Sequence, residues 1–219
     1  MVPPPARPHA AASATGDADA ARARLLRAGL RLFAHQGFAA TTTRELAQAA
    51  GVNVAAISYY FGDKAGLYRA VFFESQGSPT EDIARYADPR LSLDDALRAL
   101  YASFLEPLRQ GDMARQCMKL HAREMIEPTG LWEEEITTGI RPMHEALVAV
   151  LCRHFHLVKA DDDVQRLAVC IAGLGVHMHV GRDITDQLVP GINEGEAAID
   201  RWAERLTLFG LAMVHAEAR

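Results

Sequence analysis

A short stretch near the N-terminus carries side chains whose types suit contact with a nucleic-acid duplex. They are Asn53, Ala55, Ala56, Ser58, Tyr59, Tyr60 and Lys64. Hydroxyl and ammonium groups are common donors to phosphate oxygens. Alanines leave room for close approach to base edges, and an alanine methyl can contact the methyl group of thymine. These residue types therefore predict recognition of a duplex through its major groove rather than catalysis.

The segment before these side chains predicts a short helix with a strong start signal. Thr42 precedes the helix and Glu45 follows three residues later, which is the spacing of a capping box. We expect the helix to run from Thr43 to Ala50, with Gly51 supplying the backbone freedom for a tight turn.

A second short helix must follow this turn. Asn53 can cap it, and we expect it to run from Val54 to about Tyr60. Ala47 must be small where the two helices touch, and Ile57 faces inward. The spacing of Ala47, Gly51 and Ile57 is that of a helix-turn-helix, whose second helix enters the major groove.

Charge is distributed unevenly along the chain. Residues 20–72 hold seven basic and two acidic side chains, a balance of +5, whereas the whole chain carries -5, so that the remainder carries -10. This asymmetry indicates a basic nucleic-acid-binding module joined to an acidic partner domain.

These motifs resemble one known family. The first helix, the capped second helix, AGVNVAAISYYFGDKAGLY and the helical remainder are similar to the TetR family of transcriptional regulators, specifically over residues 20–72 and only in architecture beyond them. NVAAISYYFGDKAGLY followed by HAREMIEPTGLW is also similar to the CecR-like subgroup. Family members are usually repressors that bind operators as homodimers and dissociate when a small molecule enters the C-terminal domain.

The resemblance implies roles for individual residues. It assigns base contacts to the exposed residues between Asn53 and Tyr60, and phosphate contacts to Thr43, Arg44, Tyr59 and Lys64. Ser58 departs from the family pattern, which commonly has Tyr at that position, so the base or phosphate contacted there can differ.

Helical periodicity continues to the C-terminus, and we predict an all-α fold. Residues 1–18 are expected to be a disordered tail, residues 19–76 the helix-turn-helix DNA-binding domain, and residues 77–219 a helical regulatory and dimerisation domain. The expected helices are Ala20 to His35, the two of the helix-turn-helix, Asp63 to Glu74, Leu93 to Gln110, Met113 to Glu127, Thr138 to Phe155, Asp162 to Val180 and Glu196 to Glu217.

The last two long helices carry apolar stripes that predict a homodimer. A four-helix interface formed by two helices from each subunit would bury both stripes under a two-fold axis. The residues predicted to form it are Leu167, Ile171, Leu174, Gly175, Trp202, Leu206, Phe209 and Met213.

Bulky and polarizable residues in the middle of the chain predict a ligand pocket. They are Phe104, Met113, Cys117, His121, Met125, Trp132 and His144. Such side chains suit a hydrophobic or aromatic effector, with the two histidines as polar partners. Each is also common in an ordinary core.

Composition excludes other classes of protein. The three cysteines are scattered without a CxxC pair, so we expect no disulfide framework, no metal site and no cofactor. No apolar run is long enough for a bilayer, and we expect a cytoplasmic protein with no membrane partner. No catalytic motif is present, so we expect no enzyme. The alternatives left open are a transcriptional activator, an architectural DNA binder without an effector, and an enzyme carrying a DNA-binding module.

Overall fold

The computed structural model describes residues 11–74, 79–109 and 111–217, with side chains from Ala18 onward. The chain divides into two compact units, Met1–Ser75 and Gln76–Arg219. Gly77 and Ser78, expected to form the linker, lie outside the described residues, as do residues 1–10 of the expected tail.

The regular structure of the described residues is helical and includes no strand, as predicted. The helices are α1 (Ala11–Ala40), α2 (Thr43–Ala50), α3 (Ala55–Phe61), α4 (Lys64–Glu74), α5 (Pro79–Tyr86), α6 (Leu93–Arg109), α7 (Asp112–Ile126), α8 (Trp132–Glu135), α9 (Arg141–His154), α10 (Asp162–Val180), α11 (Arg182–Leu188) and α12 (Glu196–Ala216). A π-helical turn, Ile136–Ile140, joins α8 to α9.

In the first unit, α1 packs against α2 and α4, and α3 lies against α4. The buried side chains that join these helices are Leu25, Phe33, Leu46, Ile57, Leu67 and Phe72. Gly29 lets α1 approach α4 closely, because a Cβ there would lie 2.8 Å from a methyl group of Val71. This small core holds α2 and α3 in fixed positions.

Two boundaries of α1 differ from the prediction. The helix begins at Ala11, inside the stretch expected to be a disordered tail, rather than near Ala20. Near its other end Gly37 has φ 83° and ψ 169°, a non-helical conformation that interrupts the helix. The helix was expected to end at His35, and one further turn after Gly37 reaches Ala40.

In the second unit, α6 and α12 form the most extensive helix pair, and α5, α9 and α10 pack around them. Tyr101 is buried in this bundle and its hydroxyl donates to the carbonyl oxygen of Ile171 at 3.1 Å. Gly210 faces the same ring, since a Cβ there would lie 2.9 Å from the Tyr101 hydroxyl oxygen. A satisfied polar group therefore joins α6 to α10 inside an apolar core.

Three short helices were missed, and one predicted helix is divided. The missed helices are α5, α8 and α11, each of eight residues or fewer. The expected helix from Thr138 to Phe155 instead begins within the π-helical turn. Gly139 is buried in that turn, where a Cβ would lie 2.6 Å from Oε1 of Glu135. A side chain at this position would require the Glu135 carboxylate to move, so the contact favours a residue without a side chain.

Among the described residues, no single helix has both the length and the apolar character needed to cross a bilayer. The pair α10 and α11 meets that criterion only together, and a bend of 72° separates them.

Candidate nucleic-acid interface and regulatory unit

The predicted capping box fixes the start of α2. The Thr42 hydroxyl accepts from the Glu45 backbone N–H at 3.2 Å, and the Glu45 carboxylate accepts from the Thr42 N–H at 2.8 Å. The hydrogen bond from the Thr42 hydroxyl is the main cause that lowers the pKa of Glu45. Gly51 ends the helix with φ 63° and ψ 40°, in the left-handed conformation that the turn requires.

The second helix of the motif begins one residue later than predicted, at Ala55. Asn53 still acts as a cap, because its side-chain oxygen accepts from the Ala55 N–H at 2.9 Å. Ile57 is buried under the helix and holds it against α4. The cap at one end and the anchor in the middle leave the opposite face of α3 exposed.

Most residues of the predicted contact face are accessible. Ala55 and Ser58 are exposed, whereas Ala56 and Tyr60 are half-buried. Tyr59 is 80% exposed and meets the ring of Tyr60 edge to face, with centroids 4.8 Å apart. A tyrosine so exposed contributes little to the core, so its hydroxyl is available to a partner.

Lys64 is placed differently from the prediction. Its ammonium group donates to the carbonyl oxygens of Phe38 and Thr41, at 2.9 Å each. Two of its three donors are therefore used inside the unit, which gives Lys64 a structural role that the sequence did not predict, and the phosphate contact stays a prediction. Arg44, at the first turn of α2, is exposed, and Thr43 beside it is half-buried.

Part of the positive charge counted in the sequence also serves the fold. The guanidinium of Arg22 forms two hydrogen bonds with the carboxylate of Glu74, at 2.6 and 3.0 Å, which tie α1 to α4. Arg24 donates to the carbonyl oxygen of Ala50, at the end of α2, at 3.0 Å. Sequence reasoning did not foresee these roles, since both partners lie far away along the chain.

The predicted ligand pocket is only partly assembled. Cys117 and His121 lie on the buried face of α7, whereas Met113 and Met125 of the same helix are 56% and 54% exposed. The two methionines stand at the two ends of α7, where more than half of each side chain is exposed, so the described structure does not enclose them together with Cys117 and His121. Their part in a pocket stays a prediction.

The other predicted pocket residues lie on three further elements. Phe104 of α6 is half-buried against Gly175 of α10, Trp132 is half-buried in α8, and the His144 ring forms a 2.7 Å hydrogen bond with Gln165. The sequence thus identified residues of the bundle interior without identifying a common cavity.

Two buried carboxylates near Cys117 and His121 were not predicted. Glu124 is fully buried and accepts from the Thr129 N–H at 2.7 Å and from the Leu131 N–H at 3.2 Å. Glu135 is buried in α8. Burial raises the pKa of the Cys117 thiol to about 11, and burial lowers the pKa of His121, so both are neutral at pH 7.

The predicted dimer residues fall into two groups. Leu167, Ile171, Gly175 and Leu206 are buried in the core of their own chain, so their assignment to an intersubunit interface is wrong. Leu174, Trp202 and Met213 are half-buried against that core, and Phe209 is exposed.

A different face of the same two helices remains exposed and apolar. On α10 it consists of Val169, Gly173, Val176 and Val180, and on α12 of Leu208, Phe209 and Ala212. Val169 is 61% exposed and Leu208 is 51% exposed. A Cβ at Gly173 would meet no atom within 4 Å, so this part of α10 permits close approach by another helix.

The geometry defines a helical regulator with a helix-turn-helix unit and a separate helical unit, and comparison with known protein families agrees. The family of bacterial regulatory proteins, tetR family, matches residues 25–71. The C-terminal domain of the HTH-type transcriptional dual regulator CecR matches residues 93–213. The chain therefore belongs to the TetR family of transcriptional regulators, with a CecR-type C-terminal domain. Proteins of this family are regulators and not enzymes.

Two curated relatives extend this comparison. The HTH-type transcriptional dual regulator CecR of Shigella flexneri is 32% identical over 142 residues, which cover 60% of this chain and 63% of that protein. The match therefore spans less than two thirds of the length of CecR. The HTH-type transcriptional regulator BetI of Burkholderia cenocepacia (strain HI2424) is 28% identical over 159 residues, covering 70% of this chain and 79% of that protein.

Solved structures agree in fold. A mutant of HlyIIR superposes with a TM-score of 0.64 at 23% identity, covering 86% of this chain and 98% of that chain. Native NalD, the secondary repressor of the MexAB-OprM multidrug efflux pump in Pseudomonas aeruginosa, gives 0.64 at 19% identity, covering 90% and 98%. These likenesses establish the two-unit helical fold.

Proposed function

We propose that this regulator is a repressor that binds an operator as a homodimer and dissociates when a small hydrophobic or aromatic effector binds its C-terminal unit. The observation that carries the proposal is the exposed face of α3, capped by Asn53 and anchored by Ile57. A regulator that binds chromosomal DNA acts in the cytoplasm of a bacterium.

In this proposal α3 enters the major groove and the start of α2 lies along the backbone. Ala55 and Ser58 approach base edges, with Ala56 and Tyr60 behind them. The phosphate contacts come from Thr43, Arg44 and Tyr59. Lys64 holds the end of α1, a role in addition to the phosphate contact that the family resemblance implies.

The homodimer is proposed to form through the exposed apolar face of α10 and α12. Isolated apolar residues on a surface are common, but α10 and α12 contact each other and together expose seven apolar residues, which water solvates poorly. Pairing with the same patch of a second subunit gives an isologous interface. Two copies of α3, about one turn of DNA or 34 Å apart, can then read both halves of an operator.

The effector is proposed to bind among the buried residues of α7 and their neighbours. Cys117 and His121 are adjacent there, and Phe104 and Trp132 supply aromatic surface on other elements. A ligand that favours a spacing of the two α3 helices other than the spacing in the operator complex must weaken operator binding, because coupling between two sites is reciprocal.

The test begins with a thermal-shift screen of small aromatic and aliphatic compounds, since a ligand of the folded state raises the melting temperature. A stabilising compound is then titrated against a protein–operator complex in a mobility-shift assay. Release of DNA supports the proposal, and stabilisation without any change in operator affinity favours an architectural DNA binder. Cys117→Ala should weaken the response, whereas Cys152→Ala, at a half-buried site on α9, should leave it unchanged.

A second candidate function is activation of transcription. It is favoured by one observation, the name of the relative CecR, which is a dual regulator. Transcription in vitro from a promoter that carries the selected operator separates the two functions, because a repressor lowers the amount of transcript and an activator raises it.

A further inference from the structure

A shallow, open cleft lies beside the start of the recognition helix and includes residues from the helix before it. Its volume is about 410 Å³, and it is lined by Arg44, Ala47, Gln48, Val52, Asn53 and Val54. Three of these residues belong to α2 and three to the turn and the first residue before α3. The cleft therefore continues the surface that α3 presents to DNA.

Gln48 is the amide side chain that α2 contributes to this cleft. It follows Arg44 by four residues, which places both on one face of the helix. Gln48 is exposed, and the described residues offer its amide no hydrogen bond. Both its carbonyl oxygen and its amide hydrogens are therefore available to a partner across the cleft.

Asn53, the other amide in the cleft, is not equally available. Its side-chain oxygen accepts from the Ala55 N–H at 2.9 Å, so that only its NH2 group can donate outward. Recognition of adenine by an amide side chain requires both groups, one accepting from N6 and one donating to N7. Of the two amides in the cleft, Gln48 is the one that can satisfy this requirement.

Val54 supplies an apolar group to the same cleft. It is 44% exposed although it is a branched aliphatic residue. A valine methyl can contact the C5-methyl of thymine, which projects into the major groove. An amide and an exposed methyl group that line one cleft are complementary to the major-groove edges of A·T pairs.

We propose that Gln48 is a specificity-determining residue that reads an adenine at one edge of each operator half-site, with Val54 against a thymine methyl. Arg44, one turn earlier on α2, holds the adjacent phosphate. The inference rests on the proposed binding of an operator by α3 and extends the reading surface from α3 to α2. It assigns sequence preference to a helix that otherwise only positions the protein on the backbone.

The experiment selects binding sites from a library of random DNA duplexes with the full-length protein and three variants. The wild type should enrich a site with an adenine at a fixed place in each half. Gln48→Ala should lose that preference and bind the selected duplex about 10-fold more weakly, with an unchanged salt dependence. Gln48→Arg should change the preference to guanine, whose O6 and N7 accept from a guanidinium. Gln187→Ala, at an exposed glutamine of α11, is the matched control and should behave as the wild type.

Two results overturn the inference while leaving operator binding intact. One is a Gln48→Ala variant that enriches the same site as the wild type at every position. The other is an equal loss of affinity for selected and random duplexes with a shallower salt dependence, which identifies Gln48 as a phosphate contact. If the wild type enriches no sequence, the proposed function itself fails, together with the inference that rests on it. Melting temperatures near that of the wild type show that the variants are folded.

Discussion

The ammonium group of Lys64 is held by Phe38 in two ways: it donates to the Phe38 carbonyl oxygen at 2.9 Å and lies 4.2 Å from the centroid of the Phe38 ring. The same group donates to the carbonyl oxygen of Thr41. Since Thr42 caps α2, this lysine at the start of α4 fixes the segment from which the helices of the helix-turn-helix begin.

This arrangement predicts that Lys64→Ala lowers the stability of the folded protein. Removing the ammonium leaves two carbonyl oxygens without their donor, at a cost of about 1 to 3 kcal/mol. Chemical denaturation measures the loss. Arg44→Ala is the comparison, because Arg44 is exposed and its loss should leave stability unchanged while weakening DNA binding and flattening its salt dependence. If Lys64→Ala keeps the stability of the wild type but flattens the salt dependence of DNA binding, Lys64 contacts a phosphate and does not stabilise the fold.

The exposed face of α3 predicts that Ala55→Trp abolishes operator binding without unfolding the protein. The side chain is exposed, so the indole is accommodated in solvent but blocks entry into the groove. Mobility shifts and melting temperatures test the two parts separately. Ala84→Trp, at an exposed alanine of α5, is the control. Unchanged affinity of Ala55→Trp for the operator would mean that α3 is not the recognition helix.

The apolar face of α10 and α12 predicts that Val176→Lys together with Leu208→Lys produces a folded monomer. Both side chains are exposed within the chain, so lysine is tolerated there, but its charge opposes burial against a second subunit. Sedimentation should show the loss of a dimer, and operator affinity should fall because one half-site is read alone. A variant that remains dimeric at micromolar concentration would locate the interface elsewhere.

Leu167, by contrast, should behave as a core residue and not as an interface residue. It is buried in its own chain, and Leu167→Ala should lower the free energy of unfolding by about 2 to 5 kcal/mol. The variant should remain dimeric as long as it is folded. Dissociation into folded monomers would contradict the assignment of this residue to the core.

Buried His121 predicts a loss of stability in mild acid. Its Nδ1–H donates to the Cys117 carbonyl oxygen at 2.8 Å, and burial lowers the pKa of the ring below the ordinary 6.5. As the pH decreases, the imidazole of the unfolded chain binds a proton near pH 6.5, whereas the buried ring of the folded protein stays neutral. The free energy of unfolding therefore falls as the pH decreases from about 7 to 5. His121→Gln should reduce this dependence in melting curves, whereas His154→Gln, at an exposed histidine, should not. An unaltered pH profile in His121→Gln would show that the pKa of this ring is the same in the folded and the unfolded protein.

The sequence by itself determined the elements of the helix-turn-helix. The capping box of Thr42 and Glu45, the turn at Gly51 and the inward position of Ile57 are all confirmed. These features could be predicted because a helix cap and a tight turn depend on groups within about four residues of one another. The all-α class followed in the same way, from the periodicity of long apolar stripes.

Only the tertiary structure decided which side of each helix faces a neighbour. The stripe on α10 that contains Leu167 and Ile171 is buried in the core of its own chain, and the face that contains Val169 and Val176 remains exposed. Both faces are apolar, so periodicity alone could not rank them. The partners of Lys64 likewise lie more than twenty residues earlier in the chain, at the end of α1 and directly after it. Such choices depend on packing between segments distant in sequence, and local patterns hold no information about them.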